Sequence, residues 1–161
     1  MVFLGIDPGL AGALCALSAG GQILTLVDPP TLHVGNKREY ELAQMARTLR
    51  TFAPSACAAL ELTGPMPRQG VVSMWRMGLG MGVWEGLLAA LNIPLVRVRP
   101  QRWQSVMLDG LPRGKDAARY RAQSLWPDHA EQFSLKKHDG RADAALIADW
   151  GRRTWRAGSS A

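Results

Sequence analysis

Val2-Phe3-Leu4-Gly5-Ile6-Asp7-Pro8-Gly9 is the stretch that decides the fold of this 161-residue chain. A run of β-branched and large apolar residues ends on one carboxylate. A Pro-Gly turn follows, then Leu10-Ala11-Gly12-Ala13 and a second apolar run, the pattern of two adjacent strands joined by a tight turn. Asp7 therefore closes a buried strand, where an unpartnered charge is costly. Two explanations stand at this point: turn amides hydrogen-bond the carboxylate, or the carboxylate holds a metal.

Working outward, Gln22 to Val27 reads as a third strand after Ala19-Gly20-Gly21, which makes an antiparallel meander. Asp28-Pro29-Pro30 ends it, and no periodic pattern runs from there to Asn36. From about Arg38 the residues Leu42, Met45, Ala46, Leu49 and Phe52 recur at helical spacing until Ala53-Pro54. Ala56 to Leu62 is almost continuously apolar, as in a strand covered on both faces behind a crossover helix. Glu61 comes at its end, a second lone carboxylate closing a second buried strand.

Thr63 to Gln69 is a loop. A helix rich in Trp, Met and Gly follows, from Trp75 to Leu91, with Val83, Trp84, Leu87 and Leu88 at helical spacing. Its glycines allow close approach of another backbone or of DNA, at about 1 kcal/mol each in helix stability relative to Ala. Pro94 to Val98 is a fifth strand, and Arg99-Pro100-Gln101-Arg102-Trp103 opens a short helix with proline in its first turn. Beyond the basic loop Leu111-Pro112-Arg113-Gly114, helices are predicted over Lys115 to Trp126 and from Ala142 to about Arg153. The expected architecture is α/β: a five-stranded mixed sheet, antiparallel in strands one to three and parallel in four and five, flanked by helices. Residues 1–156 form one predicted domain, and 157–161 a frayed tail.

Composition narrows the class. Cys15 and Cys57 fall in apolar runs and read as small core residues, which fits a reducing compartment. No secretory pattern opens the chain and no apolar run reaches membrane-spanning length, so a cytosolic protein is expected. The net charge is +6, with 6 Lys/Arg against 5 Asp/Glu up to Gly80 and 13 against 8 beyond it. That imbalance suggests a polyanionic partner, most simply nucleic acid.

The last predicted helix adds acid. With helical geometry reaching back to Asp139, Asp139 and Asp143 share one face at i, i+4; alternatively, Asp139 beside Gly140 is an N-cap. Asp149 points elsewhere and reads as solvated surface. Asp143 lies among Ala142, Ala144 and Ala145, small enough for the helix to approach the sheet where Asp7 and Glu61 end. Carboxylates brought that close repel, and a divalent cation removes the conflict. All-oxygen donors select Mg²⁺ or Mn²⁺ over zinc, and two such ions about 4 Å apart assist in-line displacement at a phosphodiester. With those four acids neutralised, the rest of the chain stands at +10.

Gly5-Ile6-Asp7-Pro8-Gly9, the strand-ending Glu61 and His138-Asp139-Gly140-Arg141-Ala142-Asp143-Ala144-Ala145-Leu146-Ile147-Ala148 together resemble the RuvC family of Holliday-junction resolvases, particularly its phage-type members. The first motif alone also suits actin-like ATPases, but a second lobe does not fit in this length. The resemblance implies an RNase H-like fold, a homodimer and Mg²⁺-dependent paired nicking of a four-way DNA junction. Asp7, Glu61 and Asp143 carry over as metal ligands. Many members place an acid or histidine three residues before the last aspartate; that place here is Gly140, a departure from the pattern, and the neighbouring Asp139 is the expected fourth ligand, with His138 the alternative that could complete the site. His138 is either an auxiliary group contacting water or phosphate, or an exposed loop histidine.

The loop after Glu61 offers Met66, Pro67 and Arg68 but none of the aromatics that open the junction in some resolvases; Trp75 is the nearest. Candidate phosphate contacts are Arg68, Gln69 and Arg76 beside the site, with Arg113, Lys115, Arg119, Lys136, Lys137 and Arg141 around its rim. The helix from Trp75 to Leu91 is the expected dimer interface. Broader RNase H-like or flap nucleases, and a non-catalytic junction-binding protein, are the alternatives.

Overall fold

The computed structural model describes residues 1–64, 68, 70–112 and 114–155. Its main sheet has the order β3-β2-β1-β6-β7. It is built from β1 (Val2–Asp7), β2 (Ala13–Ser18), β3 (Ile23–Val27), β6 (Ala56–Glu61) and β7 (Leu95–Val98). The β1–β2 and β2–β3 pairs are antiparallel, β1–β6 and β6–β7 parallel, as the sequence predicts. The helices are α1 (Leu42–Arg50), α2 (Val71–Ala90), α3 (Pro100–Met107), α4 (Ala117–Leu125) and α5 (Asp139–Thr154).

Several boundaries depart from expectation; α2, expected from Trp75, already begins at Val71. The segment without periodicity is a hairpin of β4 (Thr31–Val34) and β5 (Lys37–Tyr40). Seven of its eight strand residues are exposed, so no buried face imposes alternation on the sequence. Arg38 consequently lies in β5 and the helix starts only at Leu42. Finally, α5 begins at Asp139 instead of Ala142, and Pro127–Phe133 forms 3₁₀ turns.

Strand alternation divides the core into two layers. Leu4, Ile6, Leu14, Ala16, Ala58 and Leu60 pack with Met45, Leu49, Trp84 and Leu88 of α1 and α2. Ala13, Cys15, Leu17 and Ala59 face the other way, onto Trp103, Ala144, Ala145 and Ala148. Both cysteines are free and buried. A Cβ on Gly5 would lie 2.1 Å from the Ala144 carbonyl oxygen and 2.2 Å from the Ala148 nitrogen, so α5 rests directly on the β1 backbone. At the start of α5, Gly140 meets the β1–β2 turn in the same way, 2.4 Å from the Ala11 oxygen. Any side chain at position 140 would push the helix off the sheet.

On the opposite layer, Gly80 of α2 abuts Pro8: a Cβ there would sit 2.5 Å from the Pro8 oxygen. That oxygen accepts the Tyr40 hydroxyl at 2.8 Å. Gly78, Gly82 and Gly86 have open space where a Cβ would stand. Internal packing thus accounts for one glycine of this helix and leaves those three unexplained.

Candidate active site

Side chains alternate along a strand. Asp7 has the parity of Gly5, and Glu61 that of Ala59; Gly5 pairs with Ala59 and Ile6 with Leu60. The two carboxylates therefore leave adjacent parallel strands at one level, both toward the α5 layer. Asp143, one residue before the Ala144 that touches Gly5, sits on the helix covering that end. The sheet register and three small residues, Gly5, Gly140 and Ala144, thus bring together acids distant in sequence.

Electrostatics records the convergence. Burial pushes Asp143 up to about 8 from an ordinary 3.8, and the charges of Asp7, Glu61 and Asp139 push the same way. Asp7 is also raised, by burial, against one hydrogen bond from the Gly9 amide at 3.3 Å. Glu61 is raised by burial first, opposed by the Trp103 indole and increased by Asp7. Among the described residues none of these three is ion-paired.

Trp103 was missed in the sequence. It is fully buried, and its Nε1–H donates to Glu61 Oε1 at 2.8 Å. Nothing local marks it, since its partner lies 42 residues earlier. Trp103→Phe removes the donor from a buried carboxylate and is expected to cost about 1–3 kcal/mol, read from urea denaturation.

Asp139 starts α5 and lies over Asp143, but it is turned to Arg119, whose Nε stands 2.8 Å from its Oδ1. It is not an N-cap; that position is His138. Arg119 also binds Asp116 and donates to the Ser134 carbonyl, so it is an internal tie and not a free rim charge. Arg141 is likewise taken, by a two-pronged bond to Asp28 at 2.6 and 2.8 Å. Lys115, Lys136, Lys137, Arg68 and Arg76 are exposed. Gln69 and Arg113 lie outside the described residues, as do Met66, Pro67 and the predicted tail.

Two expectations are corrected. His138 is buried, 8% exposed, because its Nδ1 accepts the Leu135 amide and closes the turn before α5. Desolvation and then the Arg141 and Lys137 charges lower its pKa. Asp149 is 3% exposed rather than solvated. It is held by Arg152 and Arg153, at 2.8 and 2.9 Å, in the i+3 and i+4 pairs helical geometry provides.

The donor set suits a hard cation: carboxylate oxygens, buried and short of positive charge. Thr63, two residues past Glu61, adds a buried hydroxyl with no partner among the described residues. Among those residues no three acid, histidine or cysteine side chains gather around one point. Asp143 alone of the three lines a described cavity, and Asp7 and Glu61 lie outside its lining. Mg²⁺, which retains several waters and binds through one or two carboxylates, fits this donor set without needing a cage of three side chains.

No family model matches the chain. It is 30% identical over 123 residues, 74% of its length, to "Holliday junction resolvase MOC1, chloroplastic" of Chlamydomonas reinhardtii, and the match spans 14% of that protein. Among solved structures it is similar to Thermus thermophilus RuvC, with TM-score 0.63 and 16% identity over 95% of this chain and 96% of that one. RuvC of the same organism in complex with Holliday junction substrate gives TM-score 0.63 and 17% identity at the same coverage. No described helix is long and apolar enough to cross a membrane. The sheet order and the flanking helices thus match the RNase H-like fold of RuvC.

Proposed function

We propose that the chain is a structure-selective endodeoxyribonuclease that resolves four-way DNA junctions by paired, symmetric, metal-dependent hydrolysis. The observation that carries this reading is the set of three cation-deficient carboxylates, Asp7, Glu61 and Asp143, at one end of a sheet with the RuvC fold. The 30% identity to a protein named as a Holliday junction resolvase supports it. Asp7, Glu61 and Asp143 would hold Mg²⁺ or Mn²⁺, two ions per site, and Asp139 is the fourth ligand once it leaves Arg119. Bound there, the ions would supply positive charge against the negative charge developing on the phosphoryl oxygens and would favour attack by water.

The protein's own part is orientation. The Gly9 amide restrains Asp7, and the Trp103 indole fixes one oxygen of Glu61. The Gly5 and Gly140 contacts hold Asp143 at its depth. Arg68, Arg76, Lys115, Lys136 and Lys137 contact phosphates, giving affinity that falls steeply with salt. A homodimer presents two such sites for paired cuts. Its interface is the outer face of α2, where Val71, Val72, Trp75 and Leu79 are exposed and Trp75 is 70% accessible. The bare Gly78, Gly82 and Gly86 let a partner backbone approach along that face.

The deciding experiment is a cleavage panel in Mg²⁺ with a four-way junction, a flap, linear duplex and an RNA/DNA hybrid. Junction cutting at symmetric positions on two opposed strands, at least about tenfold over the other substrates, is expected. Equal cutting of the flap or the hybrid replaces this reading with a broader nuclease.

A further inference from the structure

A cavity of about 770 Å³ opens beside Asp143 and runs outward between α3 and the α3–α4 connection. Its floor is apolar, with Leu108, Leu111 and Ala117, and its walls carry Gln101, Gln104 and Lys115. A smaller hollow of about 230 Å³ shares Leu111, Pro112, Gly114, Lys115 and Ala117 with it and ends at Tyr120, which is 64% exposed. Gln101 and Gln104, one turn apart on α3, are exposed, and neither amide is engaged among the described residues. The nearby Ser105 hydroxyl is already spent on the Arg102 carbonyl. The opposite flank of α3 carries Trp103, which holds Glu61.

The cavity is not a continuous phosphate track: its lining carries one lysine, Lys115, against two aspartates, Asp109 and Asp143. An apolar floor, two free carboxamides and a terminal aromatic suit the edge and face of a nucleobase. A glutamine amide offers a donor and an acceptor together, the pairing that adenine matches bidentately. A base unstacked beside a cleaved phosphate gains further from an aromatic platform such as Tyr120.

We infer that Gln101 and Gln104 read a base next to the scissile phosphate, making α3 the determinant of cleavage-sequence preference, with adenine favoured at that position. This rests on the nuclease reading above. The test uses four-way junctions that differ only in the bases flanking the cut, cleaved by the full chain in Mg²⁺. The wild type is expected to favour adenine at one flanking position by roughly 5- to 100-fold, the discrimination typical of a bidentate base contact. In Q101A/Q104A that ratio collapses to within about twofold, whereas Lys115→Ala slows all sequences alike and preserves it. A sequence profile unchanged in Q101A/Q104A, or a wild type indifferent to flanking bases, overturns the inference while the nuclease reading stands. A wild type that cuts no branched DNA removes both.

Discussion

Asp7→Asn is expected to lower junction cleavage by roughly 10³-fold or more, because one of the three buried carboxyls would no longer carry the charge needed to hold a divalent ion. Junction binding, governed by phosphate contacts elsewhere, stays within about twofold of wild type in a mobility-shift assay at fixed salt. The same substitution is expected to stabilise the metal-free protein. Asp143 sits at about 8 when folded and 3.8 in its ordinary state, raised by burial and then by the Asp7 charge. A carboxyl raised on folding takes up protons in the folded state, so stability rises as pH falls from about 8 toward 3.8 and is lowest above 8. In EDTA the thermal midpoint should climb across that window, and Asp7→Asn should exceed wild type at its alkaline end. Added Mg²⁺ should raise the wild-type midpoint and leave that of Asp7→Asn nearly unmoved. An Asp7→Asn protein that cleaves at the wild-type rate would remove the metal-site reading altogether.

Gly5→Ala is the largest expected stability effect. Its methyl would lie 2.1 Å from a backbone oxygen and 2.2 Å from a backbone nitrogen of α5, neither of which a rotamer change can move. The helix must lift from β1 along its centre, at a cost of about 3 kcal/mol by urea denaturation. Because Asp143 rides on that helix, cleavage should fall with it even where the protein remains folded. Gly82→Ala is the contrast: within one chain its new methyl meets nothing within 4 Å, so the protomer helix gains about 1 kcal/mol while the proposed dimer contact on that face weakens.

Much of this architecture was legible because the relevant patterns are local. The apolar run of β1, the two-sided burial of β6 and the turn residues after Asp7 specify neighbouring strands of known direction. Asp7, Glu61 and Asp143 could be singled out because each is an acid in an otherwise apolar context. The β4–β5 hairpin was hidden because seven of its eight strand residues face solvent and alternation there has no energetic meaning. His138 and Asp149 were misplaced for a related reason. A polar side chain is inward-facing when a partner meets it, and the Leu135 amide, Arg152 and Arg153 meet these two only once the backbone has coiled. Trp103 reaches Glu61 across 42 residues, a distance no spacing rule covers. The purpose of Gly140 was equally opaque: a missing acid by comparison with relatives, it is a point of backbone contact in three dimensions.

The Pro8 carbonyl has one more implication. It is gripped by the Tyr40 hydroxyl and braced by the bare Gly80 of α2, leaving no slack between that helix and the turn that carries the first carboxylate. The outer flank of α2 is apolar and uncovered among the described residues, and its inner flank is wedged against the turn that follows Asp7. Whatever docks on the outside pushes on a rigid strut whose far end is one peptide unit from Asp7.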